Sequence, residues 1–281
     1  MVMRRTVNGV TYHVEKQGSG PAVFFLHGFT GSSETWTPHL TALETFTTVR
    51  MDFLGHGRSD APPDVRRYGM DACVDDVLAL QNRLGIRRCA IVGYSMGGRV
   101  ALRVALQAPE RLWALVLESA SPGIAEPVDR RVRVIQDTRL AERIRNDGVA
   151  AFADYWQTLP LFASQSRLPA ATRQALRAQR LQHTANGLAN SLQGLGAGEQ
   201  EPVLQRLRDL RLPVLLLAGR LDDKYCRLAN EMTAMLPCSR VHIVAAAGHA
   251  VHLEQPAAFD AAVRGFLQAH APIPPVHEPL P

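Results

Sequence analysis

Three residues have the types and the chain order that proton-transfer or nucleophilic catalysis needs. Ser95 stands in Gly93-Tyr94-Ser95-Met96-Gly97-Gly98-Arg99, after the apolar run Ala90-Ile91-Val92 and at the start of a helical pattern. A serine hydroxyl is a weak base and a weak nucleophile until a histidine takes its proton. That histidine in turn needs a carboxylate to fix its tautomer and stabilise the imidazolium. Asp222 follows Leu215-Leu216-Leu217-Ala218-Gly219-Arg220-Leu221, and His249 follows Val241-His242-Ile243-Val244-Ala245-Ala246-Ala247-Gly248. Each therefore falls just beyond a strand pattern, in the order Ser, acid, His that accompanies a Gly-x-Ser-x-Gly turn. Asp223 and His252 are the rivals. Gly-x-x-Asp spacing favours Asp222; a preceding glycine and the position nearest the strand end favour His249.

The elements must hold Ser95 on a sharp strand-to-helix turn, which needs residues without bulk at Gly93 and Gly97. At the helix start the free N–H groups and the helix dipole favour developing negative charge. The Met96 N–H is one expected oxyanion donor. The second, from the loop His27-Gly28-Phe29, is the Phe29 N–H. His27, Asp52 and His56 are read as residues that fix turns. Arg99 lies one helical turn after Ser95, and helix side chains lean towards the N-terminus, so its guanidinium is expected near the mouth of the site.

The pattern of elements is α/β. Strands are expected at residues 10–14, 22–26, 47–52, 89–92, 113–118, 213–218 and 241–245. Helices are expected at 33–43, 71–84, 96–107 and 256–269. Their alternation predicts a mostly parallel, doubly wound sheet covered on both faces. Residues 123–205 lack strand-like runs, are rich in Ala, Arg, Gln and Leu, and are punctuated by proline. They are read as a helical cap inserted into a core made of 1–122 and 206–270. Residues 271–281, with five prolines, are read as a disordered tail.

Composition narrows the function. The chain has 281 residues and a formal net charge of +5, with lysine only at Lys16 and Lys224. The arginines are dispersed, which argues against nucleic acid as a partner. No run is long and apolar enough to predict a membrane span, and the start lacks the apolar stretch of a signal peptide. Four scattered cysteines predict neither a disulfide framework nor a zinc site. These features point to a cytoplasmic protein; they leave its oligomeric state open.

The sequence resembles the α/β-hydrolase superfamily over nearly its whole length. Within it, the sequence is similar to the 2-succinyl-6-hydroxy-2,4-cyclohexadiene-1-carboxylate synthases (MenH) of menaquinone biosynthesis. The resemblance rests on Leu26-His27-Gly28-Phe29-Thr30-Gly31-Ser32, on Gly93 to Arg99, and on Leu117-Glu118-Ser119-Ala120-Ser121-Pro122-Gly123. Further matches are Phe152-Ala153-Asp154-Tyr155-Trp156, Leu161-Phe162-Ala163-Ser164, Arg180 with Asn186-Gly187-Leu188-Ala189, and Gly219 to Lys224. It implies a lyase that eliminates pyruvate from 2-succinyl-5-enolpyruvyl-6-hydroxy-3-cyclohexene-1-carboxylate. Ser95, His249 and Asp222 would act as a base, with no metal and no organic cofactor. It also implies a substrate with three carboxylates held by Arg99, Arg130 and Arg180, with Tyr94 and Trp156 lining the pocket. Arg131 and Arg133 lie close enough to Arg130 to take its place. The competing readings are a serine hydrolase cleaving esters, thioesters or C–C bonds, and a non-enzymatic ligand receptor. A dehalogenase would need an aspartate where Ser95 stands.

Overall fold

The computed structural model describes residues 1–272. Eight strands form one sheet: β1 (Val2–Val7), β2 (Val10–Gln17), β3 (Ala22–Leu26), β4 (Thr47–Met51), β5 (Cys89–Tyr94), β6 (Leu112–Glu118), β7 (Val214–Gly219) and β8 (Ser239–Val244). Their spatial order is β1-β2-β4-β3-β5-β6-β7-β8. β1 and β2 pair antiparallel, as do β2 and β4; all the other pairs are parallel. The helices are α1 (Met70–Arg83), α2 (Met96–Gln107), α3 (Pro127–Trp156), α4 (Ala170–Arg180), α5 (Ala185–Leu195), α6 (Asp223–Met235), α7 (Val251–Glu254) and α8 (Pro256–His270).

The central strands are apolar throughout because both of their faces are covered. Side chains alternate across the sheet. Phe24, Leu26, Ile91, Leu115 and Leu117 enter one core with residues of α1, α2 and α6. Val23, Phe25, Val92, Val116 and Leu217 enter the other with Trp36 and α8. Phe25 and Trp36 are fully buried, with ring centroids 5.3 Å apart. Each such side chain contributes on the order of 2–3 kcal/mol by leaving water.

Between β6 and β7 the described chain carries only helical segments. α3 is broken at Gly148, whose φ of +80° interrupts the helical backbone. A 3-10 stretch, Pro160–Arg167, leads into α4 and α5. α3 and α5 pack on each other through Ile144, Phe152, Leu188 and Leu192. This layer lies over the loops that follow β3 and β5, where Phe29 meets Phe152 and Trp156.

Three expectations need correction. The first hairpin is β1–β2, closed by Asn8-Gly9 with both residues at positive φ, as a tight two-residue hairpin turn requires. Arg4 and Arg5 hide the alternation of β1, so residues 10–14 looked like the first strand. Residues 33–43 form two 3-10 stretches, Ser33–His39 and Thr41–Leu43, with Pro38 inside the first, where it cannot donate a helical hydrogen bond. Helix α6 also went unmarked. The tail expected at 271–281 falls largely outside the described residues.

Candidate active site

Ser95 caps β5 and precedes α2 with φ +49° and ψ −105°, a backbone state that non-glycine residues seldom adopt. The glycines permit it by close approach. A Cβ on Gly93 would lie 2.5 Å from the Gly97 carbonyl oxygen, and one on Gly97 would lie 2.1 Å from that of Leu26. The turn is pinned on both sides: the Ser95 N–H donates to the Glu118 carbonyl at 2.9 Å, and the Arg99 N–H donates to the Ser95 carbonyl at 3.0 Å.

His249 Nε2 lies 3.0 Å from Ser95 Oγ, and its Nδ1 lies 2.8 Å from Asp222 Oδ2. A carboxylate can only accept, so Nδ1 carries the proton and Nε2 is free to accept from the serine hydroxyl. Asp222 follows β7 and caps α6, where its Oδ1 accepts from the Tyr225 N–H at 3.2 Å. The His249 carbonyl accepts from Ser119 Oγ at 2.8 Å, and the Tyr225 ring stands edge-on to the imidazole with centroids 4.5 Å apart. Of the two rivals, Asp223 is exposed, and His252 turns its Nδ1 to Glu118, 2.9 Å from both carboxylate oxygens.

The Phe29 and Met96 N–H groups have no intrachain acceptor among the described residues. The loop carrying Phe29 is held by the buried His27. Its Nε2 accepts from the Phe53 N–H at 3.0 Å and its Nδ1 donates to the Gly28 carbonyl at 2.7 Å. Burial lowers the His27 pKa to about 4, so this ring is neutral. Asp52 accepts from the Ser33 and Arg58 N–H groups. His56 donates to the Leu54 carbonyl, and burial drives its pKa well down.

Ser95, Met96 and His249 open into a cavity whose wall includes Phe29, Tyr94, Arg99, Arg133 and Trp156. A second cavity shares Phe29, Tyr94 and Trp156 with it and adds Arg180 and His252. An outer opening between residues 157–166 and α4 shares Arg180 in turn. Arg99 is buried and donates to the Gln200 side chain at 3.0 Å and the Leu195 carbonyl at 2.7 Å, both neutral acceptors. Burial lowers its pKa to about 10, which leaves it charged at neutral pH. Arg180 is 6% exposed and has no side-chain hydrogen bond or ion pair among the described residues. Arg130 does not reach these cavities: its guanidinium pairs with Glu201 at 2.8 Å. Arg133, one turn on, lines the cavity and pairs through Nε with Asp137 at 2.9 Å. Ser119 and Phe162 stand in the sequence only as members of the family-like stretches, with no role given to them, while Tyr225, Gln200 and His183 carry no signal there. No group of three or more His, Cys, Asp and Glu among the described residues is arranged to hold a metal ion.

Comparison with known proteins places the chain in a family. The family described as "alpha/beta hydrolase fold" matches residues 21–256. A Bacillus subtilis (strain 168) protein is 43% identical over 262 residues, covering 92% of this chain and 96% of its own length. It bears the name 2-succinyl-6-hydroxy-2,4-cyclohexadiene-1-carboxylate synthase provisionally. The Salmonella typhimurium protein of that name is 34% identical over 248 residues, covering 87% of this chain and 93% of itself. The structure of MenH from S. aureus superposes with a TM-score of 0.88 at 30% identity, covering 92% of this chain and 98% of that one. With matches of this extent, the chain belongs to the α/β-hydrolase fold family and, within it, to the 2-succinyl-6-hydroxy-2,4-cyclohexadiene-1-carboxylate synthases.

Proposed function

We propose that this protein eliminates pyruvate from 2-succinyl-5-enolpyruvyl-6-hydroxy-3-cyclohexene-1-carboxylate to give 2-succinyl-6-hydroxy-2,4-cyclohexadiene-1-carboxylate, a step of menaquinone biosynthesis. Its relatives carry the product's name. The observation that carries the reading is electrostatic. Two buried guanidiniums, Arg99 and Arg180, line the adjoining cavities in front of Ser95 and form no ion pair with a carboxylate among the described residues; Asp137, the carboxylate near Arg99, is already held by Arg133. Burying a cation without an anion is costly, so the site is built for a ligand that brings the negative charge. The proposed substrate brings three carboxylates. A neutral ester brings none.

The chemistry follows from the substrate's bonds. The substrate has a 3,4 double bond with the enolpyruvyl group on C5; the product is a 2,4-diene. The proton lost is therefore the one on C2, beside the succinyl ketone. Asp222 holds His249 with Nε2 towards Ser95, and His249 draws the hydroxyl proton so that Ser95 Oγ acts as the base. As the C2–H electron pair moves into the C2–C3 bond, the 3,4 pair moves to C4–C5 and the C5–O bond breaks. The pyruvate enol leaves and takes up a proton. Charge building on the succinyl ketone oxygen meets the Phe29 and Met96 N–H groups. Tyr94 and Trp156 close the pocket around the ring. Arg133 takes the place once expected of Arg130.

The same serine, histidine and free amides would serve an acyl-enzyme, so a serine hydrolase is the second reading. The experiment is pyruvate release by purified protein. The substrate is made in situ from isochorismate and 2-oxoglutarate by the preceding synthase. Because it loses pyruvate unaided, the rate is taken over a blank without enzyme and compared with Ser95→Ala.

A further inference from the structure

We propose that His183 is a positioning residue that couples the helices inserted between β6 and β7 to the backbone of the oxyanion loop; this rests on the role given above to the Phe29 N–H. His183 lies between α4 and α5 and is buried. Its Nδ1 accepts from the Gly57 N–H at 2.9 Å. Its Nε2–H donates to the Thr30 carbonyl, also at 2.9 Å. One imidazole thus ties together two core loops, the one after β3 and the one after β4. The two partners fix a single neutral tautomer, since Nδ1 must present a lone pair and Nε2 a proton.

Thr30 explains why the second bond matters. Its φ is +67°, in the left-handed region that a β-branched residue avoids. Such a conformation persists where its surroundings over-determine it. The Phe29 N–H belongs to the Gly28–Phe29 peptide, the next one back along the chain, so rotation at Thr30 swings the Phe29–Thr30 peptide and is taken up by the dihedrals of Phe29, which shifts the aim of the Phe29 N–H. From the core side the loop is held by His27 on the Gly28 carbonyl and by the Gly31 N–H on that same carbonyl at 3.0 Å. From the other side, His183 is the one inserted residue whose side chain bonds the backbone of residues 28–31 among the described residues. Neighbouring contacts keep it in register. Gln179 donates to Ser32 Oγ at 2.7 Å, and Gly187 packs so tightly on Gly55 that a Cβ there would sit 2.5 Å from the Gly55 carbonyl oxygen.

His183 itself lines neither cavity and reaches the second only through the Thr30 backbone, so its loss is expected to act first on the loop that carries the donor. His183→Ala is expected to lower kcat roughly 10- to 100-fold, below the full loss of an oxyanion donor, while KM moves less than twofold. Thr30→Gly removes the strain that His183 offsets. The double variant should therefore regain most of the lost kcat, with Thr30→Gly alone close to wild type. His183→Gln keeps a donor within reach of the Thr30 carbonyl and should stay within about fivefold of wild type, which covers the case that the alanine variant fails to fold. A purely structural role would raise KM and lower kcat together, and Thr30→Gly would deepen the defect. That pattern, or an unchanged kcat in folded His183→Ala, overturns the proposal. If the wild type releases no pyruvate above the blank, the lyase reading fails. The same ratios are then read on nitrophenyl acetate, whose cleavage uses the same amides, so the two failures stay distinct.

Discussion

Glu118 and His252 form a second buried carboxylate–imidazole pair beside that of Asp222 and His249. Nδ1 of His252 is 2.9 Å from both Glu118 carboxylate oxygens, and the His252 N–H donates to the same carboxylate at 3.0 Å. The Glu118 carbonyl in turn holds the Ser95 N–H. Removing one member strands the other in the core. His252→Ala should therefore cost about 3 kcal/mol of stability, read as a lower denaturant midpoint. Its residual kcat should exceed that of His249→Ala by at least tenfold. Equal kcat losses would mean that the assignment of the two histidines is wrong.

Ser95→Ala, Asp222→Asn and His249→Ala should each lower kcat by about 10³-fold or more with little change in folding, and the double variants should lose no more than the singles. Steady-state kinetics beside thermal melts checks this. Additive losses would show that the three residues do not act as a unit.

Arg180 offers a trade between stability and function. Burial lowers its pKa, and no protein anion offsets its charge. Replacing an unpaired buried charge by an apolar side chain of similar volume removes that cost. Arg180→Met should raise the melting temperature by a few degrees while lowering kcat/KM for the tricarboxylate at least tenfold. A lower melting temperature with unchanged kcat/KM would make Arg180 structural.

Arg99→Ala should harm turnover of the polyanionic substrate far more than cleavage of a neutral nitrophenyl ester. It also leaves the Leu195 carbonyl and Gln200 without their donor, so some loss of stability is expected as well. Equal loss on both substrates would contradict a charge-reading role.

Acid stability should carry the mark of the buried histidines. His27, His56 and His183 all have pKa values lowered by burial, and the ring centroids of His56 lie 5.1 Å from His27 and 5.3 Å from His183. For such a group the unfolded chain takes up its proton first. Above about pH 6.5 there is no penalty; as pH falls from 6.5 towards 4 the unfolded state gains protons and stability drops. For His27 alone the loss is on the order of 2–3 kcal/mol across that window. Urea melts at pH 7, 5.5 and 4.5 should show the decline beginning near 6.5. His27→Gln should flatten part of it.

Much of the fold was legible because the central strands are short apolar runs ended by glycine or a helix signal. β3, β5 and α2 fall where the pattern puts them. β1 was hidden because its pairing leaves Arg4 and Arg5 in alternation, and only Asn8-Gly9 announces the turn. That Ser95, His249 and Asp222 meet in one hydrogen-bonded chain was readable from their positions at strand ends. Among the cap arginines, Arg180 was named from the sequence and lines a cavity, but the choice between Arg130 and Arg133 was not readable. Arg130 and Arg133 lie on one helix, and only packing decides that the former meets Glu201, 71 residues away, while the latter faces the cavity. His183 carried no local signal, since its partners Thr30 and Gly57 are more than a hundred residues distant.

The most direct test sets two rates side by side on the purified chain: pyruvate release from the succinyl-enolpyruvyl cyclohexene acid over its spontaneous blank, and cleavage of a short nitrophenyl ester. Rapid pyruvate release with little ester cleavage is the result predicted by a base-forming serine before two buried arginines that form no ion pair with the protein. Rapid ester cleavage with no gain over the blank would contradict it and place the chain among the hydrolases of this fold.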